Sequence, residues 1–221
     1  MLNFLTLDRY GILAAVILGL AILFFGGGMG PFFLMVMLWF LVLAGVVTWI
    51  GRRRKKMIGV YQKYRSWNNV VANGIVPLLI TVLYYFNANG SIMPNSFIIV
   101  SYVASVAAIT ADKFSSEIGV LGAKPIMLMT LKKVRQGTSG GITAFGIGAG
   151  LLGSLLIGIT MVNNPDYGIL LVVVIIAGLI GNLVDSVVGY WEEQGVGNKF
   201  TTNFLCSVAG WAASLLLLLL I

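Results

Sequence analysis

Histidine is absent from this chain of 221 residues, and cysteine occurs once, as Cys206 inside an apolar run. These two absences exclude an intramolecular disulfide and a typical zinc site, which need several such side chains. Packing is the role left to Cys206. Charged residues make up only 10% of the chain, and the seven acidic residues stand against 14 Lys and Arg. No polar linker is long enough to separate two soluble units. With so little charge and a mean hydropathy of +0.99, the sequence cannot be a water-soluble domain hiding its apolar residues in one core.

What fills the chain instead is apolar sequence, 59% of all residues. The runs approach or exceed the ~20 residues a helix needs to cross ~30 Å of hydrocarbon, and they lack the ten-residue alternation of a barrel. The expected fold is all-α, a polytopic membrane helical bundle of about seven transmembrane helices, with spans near 10–25, 31–50, 70–86, 96–111, 141–162, 168–190 and 202–221. The first run reads as a retained helix, because Asp8 and Arg9 precede it and no small-residue cleavage site follows. With seven spans, all 14 basic residues, from Arg9 through Lys63 to Lys199, fall on one side, and the opposite loops carry only Asp166. Lys and Arg are retained in the cytoplasm during insertion. The N-terminus is therefore expected to be cytoplasmic and the C-terminus outside, in a prokaryotic cell membrane. Topology and anionic headgroups account for the net charge of +7 without a nucleic-acid partner. An oligomeric assembly is compatible with this reading.

Residues 1–50 read as an N-terminal hairpin extension, turned by Gly26-Gly27-Gly28-Met29-Gly30-Pro31 and serving anchoring or packing. Residues 51–221 then form the part that carries chemistry. In the fifth span Gly146, Gly150, Ser154 and Gly158 repeat every four residues and predict a close helix contact.

Four polar constellations interrupt the apolar background. Arg65, Asn69 and Asn73 share one helical face entering the bilayer; they suit a phosphate or nucleobase, or else a topology cation followed by amides bonded to neighbouring helices. Gly74 and Pro77 are expected to disturb that helix. Asp112 and Glu117 bracket the end of the fourth span, with Ser115 and Ser116 beside them, and supply the oxygen ligands magnesium prefers. The competing reading is an ion pair between Lys113 and Glu117. Asp185 lies in the apolar run from Leu170 to Val188, where a lone carboxylate costs about 2.5–3.5 kcal/mol, and shares a face with Asn182 and Ser186. It is expected to join the Asp112 site or to clamp two helices by hydrogen bonding. The turn Gly137-Thr138-Ser139-Gly140-Gly141, preceded by Lys132, Lys133 and Arg135, can present backbone N–H groups and hydroxyls to a phosphate at the opening of the fifth helix.

At these positions the chain resembles the phytyl-phosphate kinase family, which includes the transmembrane protein 19 group. The resemblance runs over roughly residues 65–215. Its motifs are Asn69-Val70-Val71-Ala72-Asn73-Gly74, Ala111-Asp112 through Ser116-Glu117 to Leu121, Lys133-Val134 with Gly137 to Gly141, Gly181 through Asp185-Ser186, and Asn203-Phe204-Leu205. Lys113 departs from the pattern, in which a small hydroxyl residue is expected beside the acid. The resemblance implies a CTP-dependent kinase that phosphorylates phytyl or another polyprenyl monophosphate to the diphosphate, with the first two spans a variable extension. Asp112, Glu117 and Asp185 would hold Mg2+. Lys132, Lys133, Arg135 and Gly137, Thr138, Ser139, Gly140 and Gly141 would bind the nucleotide phosphates, with Lys133 also among the catalytic groups. Arg65, Asn69, Asn73, Asn182, Ser186 and Asn203 would receive the acceptor. A lipid monophosphate, with a second pKa of about 6, is already an anionic nucleophile, so a chain without histidine can perform this chemistry. The alternatives are a cytidylyltransferase acting on an acidic lipid and a lipid or ion transporter.

Overall fold

A computed structural model describes residues 7–62, 65–87, 90–122 and 124–221 of the chain. Lys63, one of the basic residues used for orientation, lies outside the described residues. Helix α1 (Arg9–Gly26) is started by Asp8, whose carboxylate accepts from the Gly11 N–H at 2.6 Å. It ends where Gly27 takes φ +50°, a conformation that favours glycine. One 3₁₀ turn later α2 (Gly30–Trp49) begins, with Pro31 in its first turn. The two helices fold back on each other: a Cβ on Gly30 would sit 2.5 Å from the Leu23 carbonyl oxygen, and one on Gly19 would touch Leu34.

A short basic helix, α3 (Arg52–Met57), follows, then α4 (Trp67–Phe86), α5 (Asn95–Gly119), α6 (Ala144–Gly158), α7 (Tyr167–Glu193) and α8 (Lys199–Leu218). Six stretches of the described chain are long and apolar enough to cross a membrane. Because the first of them, Arg9–Trp49, is the α1–α2 hairpin, these stretches comprise seven helices, the number on which the charge pattern was read. Between α5 and α6 lies a small antiparallel ladder, β1 (Ile126–Met127) with β2 (Gly141–Ile142).

Three boundaries differ from expectation in ways that matter. Helix α4 runs unbroken through Pro77; the Thr81 hydroxyl donates to the Pro77 carbonyl at 2.8 Å, and the missing proline N–H leaves the Asn73 carbonyl without its helical donor. Helix α5 continues to Gly119, so Asp112 and Glu117 lie within a helix instead of bracketing its end. Helix α6 starts at Ala144, capped by the Thr143 hydroxyl, so the glycine-rich turn precedes the helix and does not open it.

The bundle is built around α5, the most buried of the crossing helices. Its small residues let neighbours approach at backbone distance. A Cβ on Gly210 of α8 would lie 3.0 Å from the Ala104 carbonyl oxygen, and Cβ atoms on Gly150 and Gly153 of α6 would lie 3.2 and 3.0 Å from the Ala111 and Thr110 carbonyl oxygens. The stripe of Gly146, Gly150, Ser154 and Gly158 is buried as its spacing predicted, against α5 and α7. The hairpin closes the other flank, with α1 parallel to α4 and α2 against α5, where the Tyr102 hydroxyl donates to the Phe33 carbonyl at 2.7 Å. All described Lys and Arg gather at the end of the bundle where α1, α4, α6 and α8 begin.

Candidate functional site

At that basic end a cavity of about 480 Å³ opens among α1, α2, α4, α5, α7 and α8. Helix α5 divides its polar wall. Five residues of helix turn the chain by about 140°, so Asp112 and Glu117 point to different sides of α5. The expected three-carboxylate cluster therefore does not form: among the described residues no group of three or more metal-binding side chains gathers.

On one side of α5, Asp112 lines the cavity together with Asp185 of α7. Lys199, at the start of α8, reaches Asp185 at 3.5 Å. Asp185 Oδ1 and Asn203 Oδ1 are buried oxygens with no hydrogen-bond partner, and both residues line the cavity. An unpartnered buried acceptor is costly, and two carboxylates with an amide oxygen are a donor set suited to a hard cation completed by phosphate oxygens. Asn182 and Ser186 line the same side, though the Ser186 hydroxyl turns back to the Asn182 carbonyl at 3.2 Å.

On the other side Glu117 is surrounded by cations. It accepts from Lys55 at 2.6 Å, from Arg65 at 3.3 Å and from Lys113, one helical turn away, and also from the Thr48 hydroxyl at 3.1 Å. The Lys113–Glu117 ion pair, the competing reading of this motif, is what forms. Lys55 is fully engaged, since its ammonium also donates to the Val47 and Thr48 carbonyls at the end of α2. Arg65 has a buried Nε without a partner. Asn69 and Asn73 line the cavity beside it, one and two turns into α4.

The glycine-rich turn forms the cavity's outer rim. Gly140, at φ +77°, lies so close to α7 that a Cβ would approach the Ser186 carbonyl oxygen to 2.6 Å and the Tyr190 nitrogen to 2.7 Å. The turn's donors face carboxylates at the end of α7: the Ser139 N–H donates to Glu193 at 2.7 Å and its hydroxyl to Glu192 at 2.9 Å. Thr138 and Gly141 also line the cavity, whereas Lys132, Lys133 and Arg135 are exposed on the ladder outside it. The cations inside are Lys55, Arg65, Lys113 and Lys199. Lys55, Lys199, Glu192 and Glu193 were not singled out from the sequence, where each reads as an ordinary charge at a span end. Only the absence of an acidic residue near Lys55 in sequence hinted that a distant helix must balance it.

Fold and cavity together define a polytopic α-helical membrane protein with a two-sided polar chamber at its basic end. The chain belongs to the integral membrane protein DUF92 family, whose model matches residues 2–216. It is 35% identical over 208 residues to an uncharacterized membrane protein of Methanocaldococcus jannaschii, covering 92% of this chain and 82% of that one. It is 29% identical over 178 residues to protein PGR of Arabidopsis thaliana, covering 70% of this chain and 62% of PGR. It is also 27% identical over 211 residues to the chloroplastic protein VTE6 of the same plant, covering 91% of this chain and 61% of VTE6. The chain thus spans about three fifths of the length of these two plant proteins. No solved structure matches it. Family membership bears out the group to which the motifs pointed, and the matched region takes in the α1–α2 hairpin that read as a variable extension.

Proposed function

We propose that the chain is a CTP-dependent polyprenyl-phosphate kinase acting at the cytoplasmic face of its membrane. The observation that carries this reading is the two-sided cavity: the acids Asp112 and Asp185 with the unpartnered oxygens of Asp185 and Asn203 on one face of α5, and a cation cluster on the other, within one chamber. Phosphoryl transfer between two polyanions needs that division, because each phosphate must be held by its own counter-charge while the two approach in line. Asp112, Asp185 and the Asn203 amide oxygen fit Mg2+, which when bound neutralises charge developing on the nucleotide phosphates. The Thr138–Gly141 turn receives those phosphates, with Ser139 exchanging its two carboxylate partners for phosphate oxygens. Lys199 supplies positive charge to the same side. Arg65, Asn69 and Asn73 face the acceptor. An acceptor phosphate oxygen bonds to the terminal phosphorus of CTP, the bond from that phosphorus to the bridging oxygen breaks, and CDP leaves with the electron pair. No proton has to be removed.

The test is transfer from CTP labelled in its terminal phosphate, using purified protein, magnesium and polyprenyl monophosphates. The expected outcome is label in a lipid diphosphate and release of CDP. Release of pyrophosphate with CMP joined to lipid would make it a cytidylyltransferase instead, and nucleotide-independent lipid flux in liposomes would make it a transporter.

A further inference from the structure

The cavity does not end at its charged walls. From the Glu117 cluster it continues between α1, α2, α4 and α5, lined by Leu18, Gly19 and Ile22 of α1 and Leu34, Met37 and Leu41 of α2. We propose that this passage is the seat of the acceptor's hydrocarbon tail, and that Arg65 and Lys113, held by Glu117, seat its phosphate; the hairpin is then a substrate-binding element. This inference rests on the kinase reading for the identity of the reaction, but not for the binding itself.

Three features select a single-tailed lipid phosphate as the occupant. First, the lining changes from cationic around Glu117 to apolar along α1 and α2, which matches an amphiphile with one charged end. Second, three cations around one carboxylate leave a formal charge of +2, complementary to a phosphate monoester carrying about −1.5 to −2. Lys55 is satisfied by the end of α2, whereas Arg65 retains an unpartnered Nε and Lys113 bonds only to Glu117 among its described contacts. Third, the passage is deep. From Thr48, which bonds Glu117, to Leu34 is fourteen residues of α2, or about 21 Å. A passage of that depth gives a long tail more apolar contact than a short one, so the hairpin favours long acceptors.

The experiment has two arms. In the first, a long-chain alkyl phosphate bearing a diazirine near its tail end is photolysed with the purified full chain in the absence of nucleotide. Adducts are expected on Ile22, Leu34 or Met37 and are expected to be suppressed by an unlabelled long-chain phosphate, but not by inorganic phosphate or the corresponding alcohol. Adducts confined to the outward faces of α6 to α8, or competition by the alcohol alone, overturn the proposal. In the second, Gly19→Leu and Met37→Phe, each filling the passage at a different wall, are compared with wild type on short and long polyprenyl phosphates. The ratio of kcat/KM for long over short acceptors is expected to fall at least about tenfold; an unchanged ratio in both variants overturns this role of the hairpin. Wild-type protein that forms the channel adducts but transfers no phosphoryl group leaves the tail seat standing and removes the kinase reading. Turnover without channel adducts does the reverse.

Discussion

Asp112, Lys113 and Glu117 occupy little more than one turn of α5, yet they belong to two different electrostatic environments. The distinction is measurable. Asp112→Asn and Asp185→Asn are expected to leave thermal stability in detergent near wild type, since they neutralise one of two neighbouring carboxylates, while lowering kcat for phosphoryl transfer by at least ~100-fold. Glu117→Gln is expected to do the opposite first: it strands three cations that one carboxylate holds. Removing one partner of a buried pair costs about 3–5 kcal/mol, and the partial exposure of Glu117 favours the lower end, near 3 kcal/mol, read as a fall in melting temperature. Of the polar residues legible in the sequence, Asp185 showed itself by being a lone carboxylate in an apolar run. Asp112 and Glu117 were found but wrongly joined, because the polar composition around them suggested a helix end where α5 in fact continues for two further turns. Helical phase, not proximity in sequence, decides which side chains meet.

At the scale of elements, the turn before α6 is fixed to the last turns of α7 by glycine. Gly140→Ala places a methyl group against the α7 backbone in a conformation that disfavours any side chain, so a loss of about 1–3 kcal/mol is expected together with weakened nucleotide binding. The carboxylates of Glu192 and Glu193 occupy the donors of Ser139 that a phosphate would use. Neutralising both, as Glu192→Gln with Glu193→Gln, is expected to lower the Kd for CTP several-fold, measured by calorimetry on the purified protein; an unchanged or higher Kd would remove the turn from the nucleotide site. The crossing helices themselves were nearly all legible, because a stretch of some twenty apolar residues with charge at its ends admits few other structures. The ladder of β1 and β2 was not: two-residue strands in a basic loop carry no periodicity to read. Nor was the channel, since the aliphatic residues of α1 and α2 that line it are indistinguishable in type from those that face lipid.

For the molecule as a whole, orientation follows from where the cations sit. In a Cys206→Ser background, a cysteine placed at Lys132 is expected to react with an impermeant maleimide only from the cytoplasmic side, and one placed at Asp166 only from outside; the reverse pattern would invert the bundle. Cys206 itself is wholly buried and should not interfere. The central helix of the bundle, α5, is the most buried, and its neighbours pack against it at backbone distance. Meanwhile the far end of the bundle presents a single acidic residue, Asp166, and no described cation. Changes of salt or acidity on that side of the membrane therefore find almost nothing there to titrate or screen, and the proposed turnover should be deaf to them while responding sharply to the same changes at the basic end.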